Sequence, residues 1–277
     1  MSQLEFTKAQ GAGNDFVIVN CLSHNPLEDR DLSKLAIRLC DRNFGIGGDG
    51  LALILPSAAS DYRMRIMNPD GSEAEMCGNA TRCVAMYLFD RGLAKETIRL
   101  ETLAGIKIIK VTSGGYTVNM GMPAFDAADI PVTGYEGQVI SQPLQVGDQE
   151  FKITTVSMGN PHCIIFLDSI EEIELDKLGR AVETHPAFPR KTNVEFAKVL
   201  NRSEVKVRVW ERAAGATLAC GTGACATLVA GVLNDLTDRK ATIHLPGDDL
   251  LIEWTDSGEV FMTGPAKEVF RGEIELT

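Results

Sequence analysis

The chain has 277 residues, 44% of them hydrophobic, and carries 27 basic against 38 acidic side chains for a formal net charge of −11. That is enough apolar material for two domains of ordinary size. The acidic balance excludes nucleic-acid or anionic-membrane binding as the main activity, because either partner would be repelled.

In chain order, short alternating apolar segments predict strands at 15–19, 51–55, 62–67, 97–101 and 116–120, then at 139–146, 151–156, 163–167, 194–199, 205–210, 241–245, 250–254 and 259–263. Gly-containing turns such as Ser113-Gly114-Gly115 and Asp256-Ser257-Gly258 join several of them as hairpins. Helices are predicted over 31–41, which starts at an Asp, over 175–184, which stops before Pro186, and from Gly78 and Gly221. The helix from Gly221 is apolar nearly all round, the pattern of a buried helix, and the one from Gly78 is polar mainly at its two ends. A sheet curled around each helix would satisfy both. The stretch 121–137, with Pro123 and Pro131, is the candidate linker. No apolar run reaches the ~20 residues that cross a bilayer. The N-terminus, Met1-Ser2-Gln3-Leu4-Glu5-Phe6, lacks the basic and apolar regions of a signal peptide, so a cytoplasmic protein is expected.

The two halves repeat one another. Gly13-Asn14 precedes one strand and Gly159-Asn160 another. A later strand ends at Asn68, nine positions before Cys77-Gly78, and its counterpart ends at Glu211, nine positions before Cys220-Gly221. Each Cys-Gly then opens a helix. The expected fold is therefore α+β, with two similar domains related by a pseudo-twofold axis. Each would be a curved, mostly antiparallel sheet around a central helix. The predicted bounds are 1–120 and 121–266, with a C-terminal strand at 267–277 returning to the first domain.

The seven cysteines are expected as thiols in a reducing compartment. Cys21, Cys40, Cys83, Cys163 and Cys225 fall in predicted strand or helix interiors and are assigned to packing. A zinc site is not expected, since Cys77/Cys83 and Cys220/Cys225 lack close ligand spacing and only four histidines are available. Cys77 and Cys220 differ from the rest. At a helix start, unpaired N–H groups and the helix dipole favour thiolate, which predicts a lowered pKa and an acid–base role near neutral pH. One such cysteine alone is more often a packing residue. Two at equivalent places of a duplicated chain suit a racemase or epimerase, in which one base takes an α-proton from one face and an acid delivers a proton to the other.

The helix-start groups Gly78-Asn79 and Gly221-Thr222 could hold a carboxylate and stabilise the charge that develops on it. Asn14, Asn68, Asn160 and Asn193 are amides at strand ends, suited to turns or to substrate. Glu211-Arg212 is either a solvated ion pair or an ammonium and carboxylate clamp.

Taken together, Gly11-Ala12-Gly13-Asn14-Asp15-Phe16, Asn68-Pro69-Asp70-Gly71-Ser72, Cys77-Gly78-Asn79, Gly159-Asn160-Pro161-His162, Asn193-Val194-Glu195-Phe196 and the run from Trp210-Glu211-Arg212 to Cys220-Gly221-Thr222-Gly223 resemble the diaminopimelate epimerase family over nearly the whole chain. The resemblance implies interconversion of LL- and meso-2,6-diaminopimelate, in lysine and peptidoglycan precursor synthesis, without pyridoxal phosphate or metal. It implies two barrel-like domains and a homodimer. Cys77 and Cys220 would be the two bases, Cys77 donating and Cys220 accepting in one direction and the roles exchanging in the other. Gly78, Asn79, Gly221 and Thr222 would hold the reacting carboxylate, and His162 and Glu211 would lie near the reacting ammonium. Asn14, Asn68, Asn160, Asn193 and Arg212 would complete recognition, largely of the distal centre. Two positions depart from the family pattern: Gly50, where some members carry a Gln that lines the substrate site, and Thr81, where small apolar residues are common.

Three other readings compete. Gly45-Ile46-Gly47-Gly48-Asp49-Gly50 matches the dinucleotide fingerprint of an NAD-dependent oxidoreductase, but it follows a helix and precedes a strand, the reverse of the phosphate-binding order. Proline racemases and hydroxyproline epimerases share a two-cysteine design, but Glu211-Arg212 fits a substrate with a second charged end better than proline. A non-enzymatic binding protein has no need of a matched thiol pair.

Overall fold

A computed structural model describes residues 2–212 and 214–276. In chain order its elements are β1 (Ser2–Gly11), β2 (Asn14–Asn20), α1 (Leu32–Cys40), β3 (Gly50–Leu55), β4 (Tyr62–Met67), β5 (Glu73–Ala74), α2 (Gly78–Asp90), β6 (Thr97–Thr102), β7 (Gly105–Thr112) and β8 (Gly115–Gly121). There follow β9 (Gln142–Val146), β10 (Gln149–Ser157), β11 (Pro161–Phe166), α3 (Leu175–Glu183), β12 (Asn193–Asn201), β13 (Glu204–Glu211), β14 (Gly215–Thr217), α4 (Gly221–Leu233), β15 (Lys240–His244), β16 (Asp249–Trp254), β17 (Val260–Gly264) and β18 (Lys267–Leu276). Two compact units form: Met1–Asn119 with Thr263–Thr277, and Met120–Met262.

In the first unit β18 pairs antiparallel with β1, and β1 with β2. β2 and β3 run parallel with Phe16 opposite Gly50, and α1 is their crossover. An antiparallel β3–β4 hairpin follows, then a parallel β4–β6 step across α2, then antiparallel β6–β7 and β7–β8. Phe16-Val17-Ile18-Val19 and Leu51-Ala52-Leu53-Ile54 are buried throughout, as a parallel pair covered on both faces requires. Helix α1 seals one face: Leu35, Ala36 and Leu39 pack with Val17, Val19, Leu51 and Leu53. On the other side α2 touches β1, β2, β3, β4, β7 and β18, so the sheet bends around it. All of α2 up to Leu88 is buried, Arg82 included.

The glycine string after α1 has a structural task. Ile46 and Gly47 donate N–H bonds to Leu39 O, Gly48 donates to Cys40 O, and Gly45 to Asp41 O. A Cβ on Gly45 would lie 2.1 Å from Arg38 O, and Gly47 has φ +80°. The glycines fold back over the carbonyl end of α1, the electronegative end of a helix and the wrong one for phosphate.

The second unit repeats the order. β9–β10 and β10–β11 are antiparallel, β11 and β12 are parallel across α3 with His162 opposite Asn193, β12–β13 is antiparallel, and β13 and β15 are parallel across α4. β5 and β14 are matching short returns on β4 and β13. Helix α4 touches β10, β11, β12, β13, β15 and β16. The mixed α+β class with mainly antiparallel curved sheets is as expected.

Several expectations fail. Residues 121–137 are not a free linker: Ala124 and Asp126 bridge to Ser157 and Gln138, and Ala127, Ile130 and Val132 sit in the second unit's core. The strand expected over 139–146 begins only at Gln142, because Ser141 takes φ +51° and breaks the extended run. The strands β1, β5, β7 and β14 were not anticipated. Cys21 lies just past β2 rather than inside a strand, although it is buried.

Candidate active site

Cys77 caps α2 with extended backbone (φ −139°), and its carbonyl accepts from Thr81 N at 2.9 Å and Thr81 Oγ1 at 2.8 Å. Thr81 thus secures the first turn. By helix geometry the N–H groups of Gly78 and Asn79 have no partner inside α2. Beside them lies a chain of amides. Arg82 Nη2 donates to Asn79 Oδ1 at 2.8 Å, Asn79 Nδ2 to Asn14 Oδ1 at 3.2 Å, and Asn14 Nδ2 to Asp49 Oδ2 at 2.6 Å. Cys77 Sγ lies 3.8 Å from Asn14 Oδ1.

Asp49 belongs to an ion cluster. Arg42 bridges Asp15 and Asp49, and Lys8 lies 2.7 Å from Asp15. Burial pushes the Asp15 carboxyl up, but its bonds to Arg42 and Lys8 outweigh this and hold it down at about 2. Asn68 stands apart from this chain, closing the 68–72 turn through Ser72 Oγ at 2.9 Å. A Cβ on Gly50 would meet Met67 O at 3.2 Å and Phe16 Cδ1 at 3.3 Å, so the position is tight for any side chain.

In the second unit Cys220 caps α4, and its Sγ accepts from Gly223 N at 3.4 Å and lies 3.4 Å from Thr222 Oγ1. Thr222 Oγ1 accepts from Asn160 Nδ2 at 3.3 Å, and Asn160 Oδ1 lies 3.0 Å from His162 Nε2. His162 Nδ1 is 2.7 Å from Glu195 Oε1, with both side chains at 0% exposure. Glu195 Oε2 has no hydrogen-bond partner, and a Cβ on Gly223 would sit 2.4 Å from Oε1, so only glycine leaves room for the carboxylate under α4. Glu211 Oε1 accepts from Thr217 Oγ1 at 2.6 Å. Burial raises the Glu211 carboxyl above its ordinary value. Both ends of the Asn193 amide are taken by backbone, Nδ2 by Pro161 O and Oδ1 by Arg212 N, which sets the turn after β13. The Arg212 guanidinium is exposed and reaches Arg190 O.

The expected lowering of both cysteine pKa values does not hold for Cys220. Burial, then the Glu211 and Glu195 carboxylates, push its thiol well up, and the bonds from Thr222 and Gly223 N–H do not offset them. Removing one carboxylate should show this. In Glu211→Gln the pH at which Cys220 reacts with a small alkylating agent should fall by about one unit, a tenfold gain in thiolate at fixed pH. Peptide mapping across a pH series would measure it, and an unchanged Cys220 profile would mean that burial alone sets the thiol. Among the packing cysteines, burial raises Cys21 and Cys40 to about 11 and Cys83 to about 12.

Sequence reasoning missed Asp49, Arg82 and Glu195. Arg82 and Glu195 carried a signal, each being a charge inside an otherwise apolar helix or strand; Asp49 was hidden in a string that looked like a nucleotide loop. Among the described residues no helix is long and apolar enough to cross a membrane, and no three His, Cys, Asp or Glu side chains cluster as metal ligands.

The fold is shared with solved structures of low sequence identity. A PhzF-family phenazine biosynthesis protein from Bacillus anthracis superposes with TM-score 0.71 at 16% identity, over 100% of each chain. A hydroxyproline epimerase from Agrobacterium vitis does so with TM-score 0.67 at 15% identity, over 98% of this chain and 92% of that one. The fold and the doubled cysteine-capped helix place the chain in this two-unit α+β architecture. A family model described as "Diaminopimelate epimerase" matches residues 6–125 and 154–269. Proteins named diaminopimelate epimerase are 53% identical in Pelotomaculum thermopropionicum, over 98% of each chain, and 53% identical in Heliobacterium modesticaldum, over 99% of this chain and 100% of that one. The chain belongs to the diaminopimelate epimerase family.

Proposed function

We propose that the chain interconverts LL- and meso-2,6-diaminopimelate, with Cys77 and Cys220 exchanging the α-proton from opposite faces of one carbon. The observation that carries this reading is the doubling: a Cys-Gly pair opens a buried helix at the same place in the same strand order, once per unit. The names of the relatives support the substrate.

The α-proton of an amino acid is weakly acidic, so its removal needs a stabilised carboxylate. The N–H groups of Gly78, Asn79, Gly221 and Thr222 would supply that stabilisation where negative charge develops. Burial and two carboxylates favour the thiol form of Cys220, the form in which it donates in one direction while Cys77 accepts. In the opposite direction it must act as thiolate. A substrate ammonium at Glu211, with His162 behind it, offsets the carboxylate charge and releases that form. Arg212 would take the distal carboxylate, and Asn14, Asn68, Asn160 and Asn193 would frame the distal centre. No pyridoxal phosphate or metal enters this scheme. The reading includes a cytoplasmic homodimer, which the family resemblance supports. The test is an assay without added cofactor: LL-diaminopimelate should be converted to the meso form and proline left unchanged. Turnover of proline instead would move the chain to the neighbouring racemases.

A further inference from the structure

We infer that Asp49, acting through the side-chain amide of Asn14, holds the Cys77 thiol in its protonated, proton-donating arrangement. The inference deepens the two-cysteine reading and rests on it for its kinetic consequence only.

The hydrogen-bond chain from Arg82 to Asp49 has one possible direction. A guanidinium only donates and a carboxylate only accepts. Arg82 therefore turns the Asn79 oxygen toward itself, and Asp49 turns the Asn14 NH₂ toward itself. What remains between them is Asn79 Nδ2 donating to Asn14 Oδ1, and it is this oxygen that faces Cys77 Sγ. A carbonyl oxygen accepts from S–H and repels S⁻, so it favours the thiol. Asp49 is itself fixed: its Oδ2 also accepts from Asp15 N at 3.1 Å, its Oδ1 from Arg42 at 2.8 Å, and its own N–H donates to Asp15 O at 2.7 Å. The charged groups around this chain are Lys8, Asp15, Arg42, Asp49 and Arg82.

The second unit supplies the contrast. Asn160 holds the place of Asn14, but its oxygen turns to His162 and its NH₂ to Thr222, whose hydroxyl meets Cys220. The equivalent amide is thus set the opposite way. Asp49 is a positioning residue: it touches the amide and not the thiol.

The test reads thiol chemistry without substrate, so it can fail separately from the proposed function. The full-length wild type, Asp49→Asn, Asn14→Ala and the double variant are alkylated with iodoacetamide across a pH series, and Cys77 and Cys220 are quantified by peptide mass spectrometry. Asp49→Asn frees the Asn14 amide to turn its NH₂ to the sulfur. The onset of Cys77 alkylation should then move down by about one pH unit, while Cys220 keeps its profile. In the Asn14→Ala background the same substitution should add nothing. An unchanged Cys77 profile in Asp49→Asn overturns the proposal. So does an equal shift in the Asn14→Ala background, which would show a bare charge effect. Should Asp49→Asn fail to fold, Asp49→Ser makes the same comparison with the same two outcomes. In turnover, kcat/KM should fall by the same factor in both directions, because the overall equilibrium is fixed, with the loss carried by kcat.

Discussion

Cys77→Ala and Cys220→Ala should each lower the rate of LL-to-meso conversion by roughly 10²–10⁴-fold, the contribution of a positioned acid–base group. Neither should lower it partway, because an epimerase with one base missing can remove a proton or deliver one but cannot do both across the carbon. The two losses should therefore not multiply in the double variant. Circular dichroism would check that the fold is intact. Cys77 is half-buried and makes no side-chain cap bond to α2, so its removal leaves the helix start in place. Near-normal turnover in either variant would exclude that thiol from proton transfer.

The second large effect is on stability. Glu195→Leu should destabilise the second unit by about 3 kcal/mol or more, because it strands His162 without its partner in a buried site. Glu195→Gln keeps a hydrogen-bond acceptor for Nδ1 and should cost less. Gly223→Ala should act on the same pair from the other side, since its methyl would press on Oε1. Urea unfolding followed by Trp210 and Trp254 fluorescence would measure all three. A loss below about 1 kcal/mol for Glu195→Leu would place it among ordinary surface substitutions and contradict a buried Glu195–His162 pair. The pair also orders the site, because His162 orients Asn160, Asn160 meets Thr222, and Thr222 meets Cys220.

Much of this arrangement was legible in the chain because duplication marks function without reference to contacts. Gly-Asn, strand, nine-residue gap and Cys-Gly recur in order, and α2 and α4 begin where the two glycines predict. What was hidden lies mostly in long-range neighbours. A helix start beside Cys220 is visible locally, whereas the Glu195 and Glu211 carboxylates that reverse its effect come from other strands. Arg82 is one charge in an apolar helix, and nothing local reveals that Asn79 and Pro265 O receive it. A C-terminal strand at 267–277 returning to the first domain is expected from the sequence, but its partner β1 is not, and the β1–β18 pairing brings residues near the two ends of the chain together. The parallel steps were invisible for a related reason: antiparallel hairpins announce themselves in their turns, and a crossover through a helix does not.

The most direct test of the two-cysteine assignment is isotopic. LL-diaminopimelate is incubated with the enzyme in D₂O and the reaction is stopped at low conversion. Two thiols on opposite faces predict deuterium at the inverted centre of the meso product and essentially none in the remaining LL substrate, since one cysteine takes the substrate proton and the other delivers a solvent-derived one. Equal labelling of substrate and product would show a single base serving both faces, and would contradict the pairing of Cys77 with Cys220.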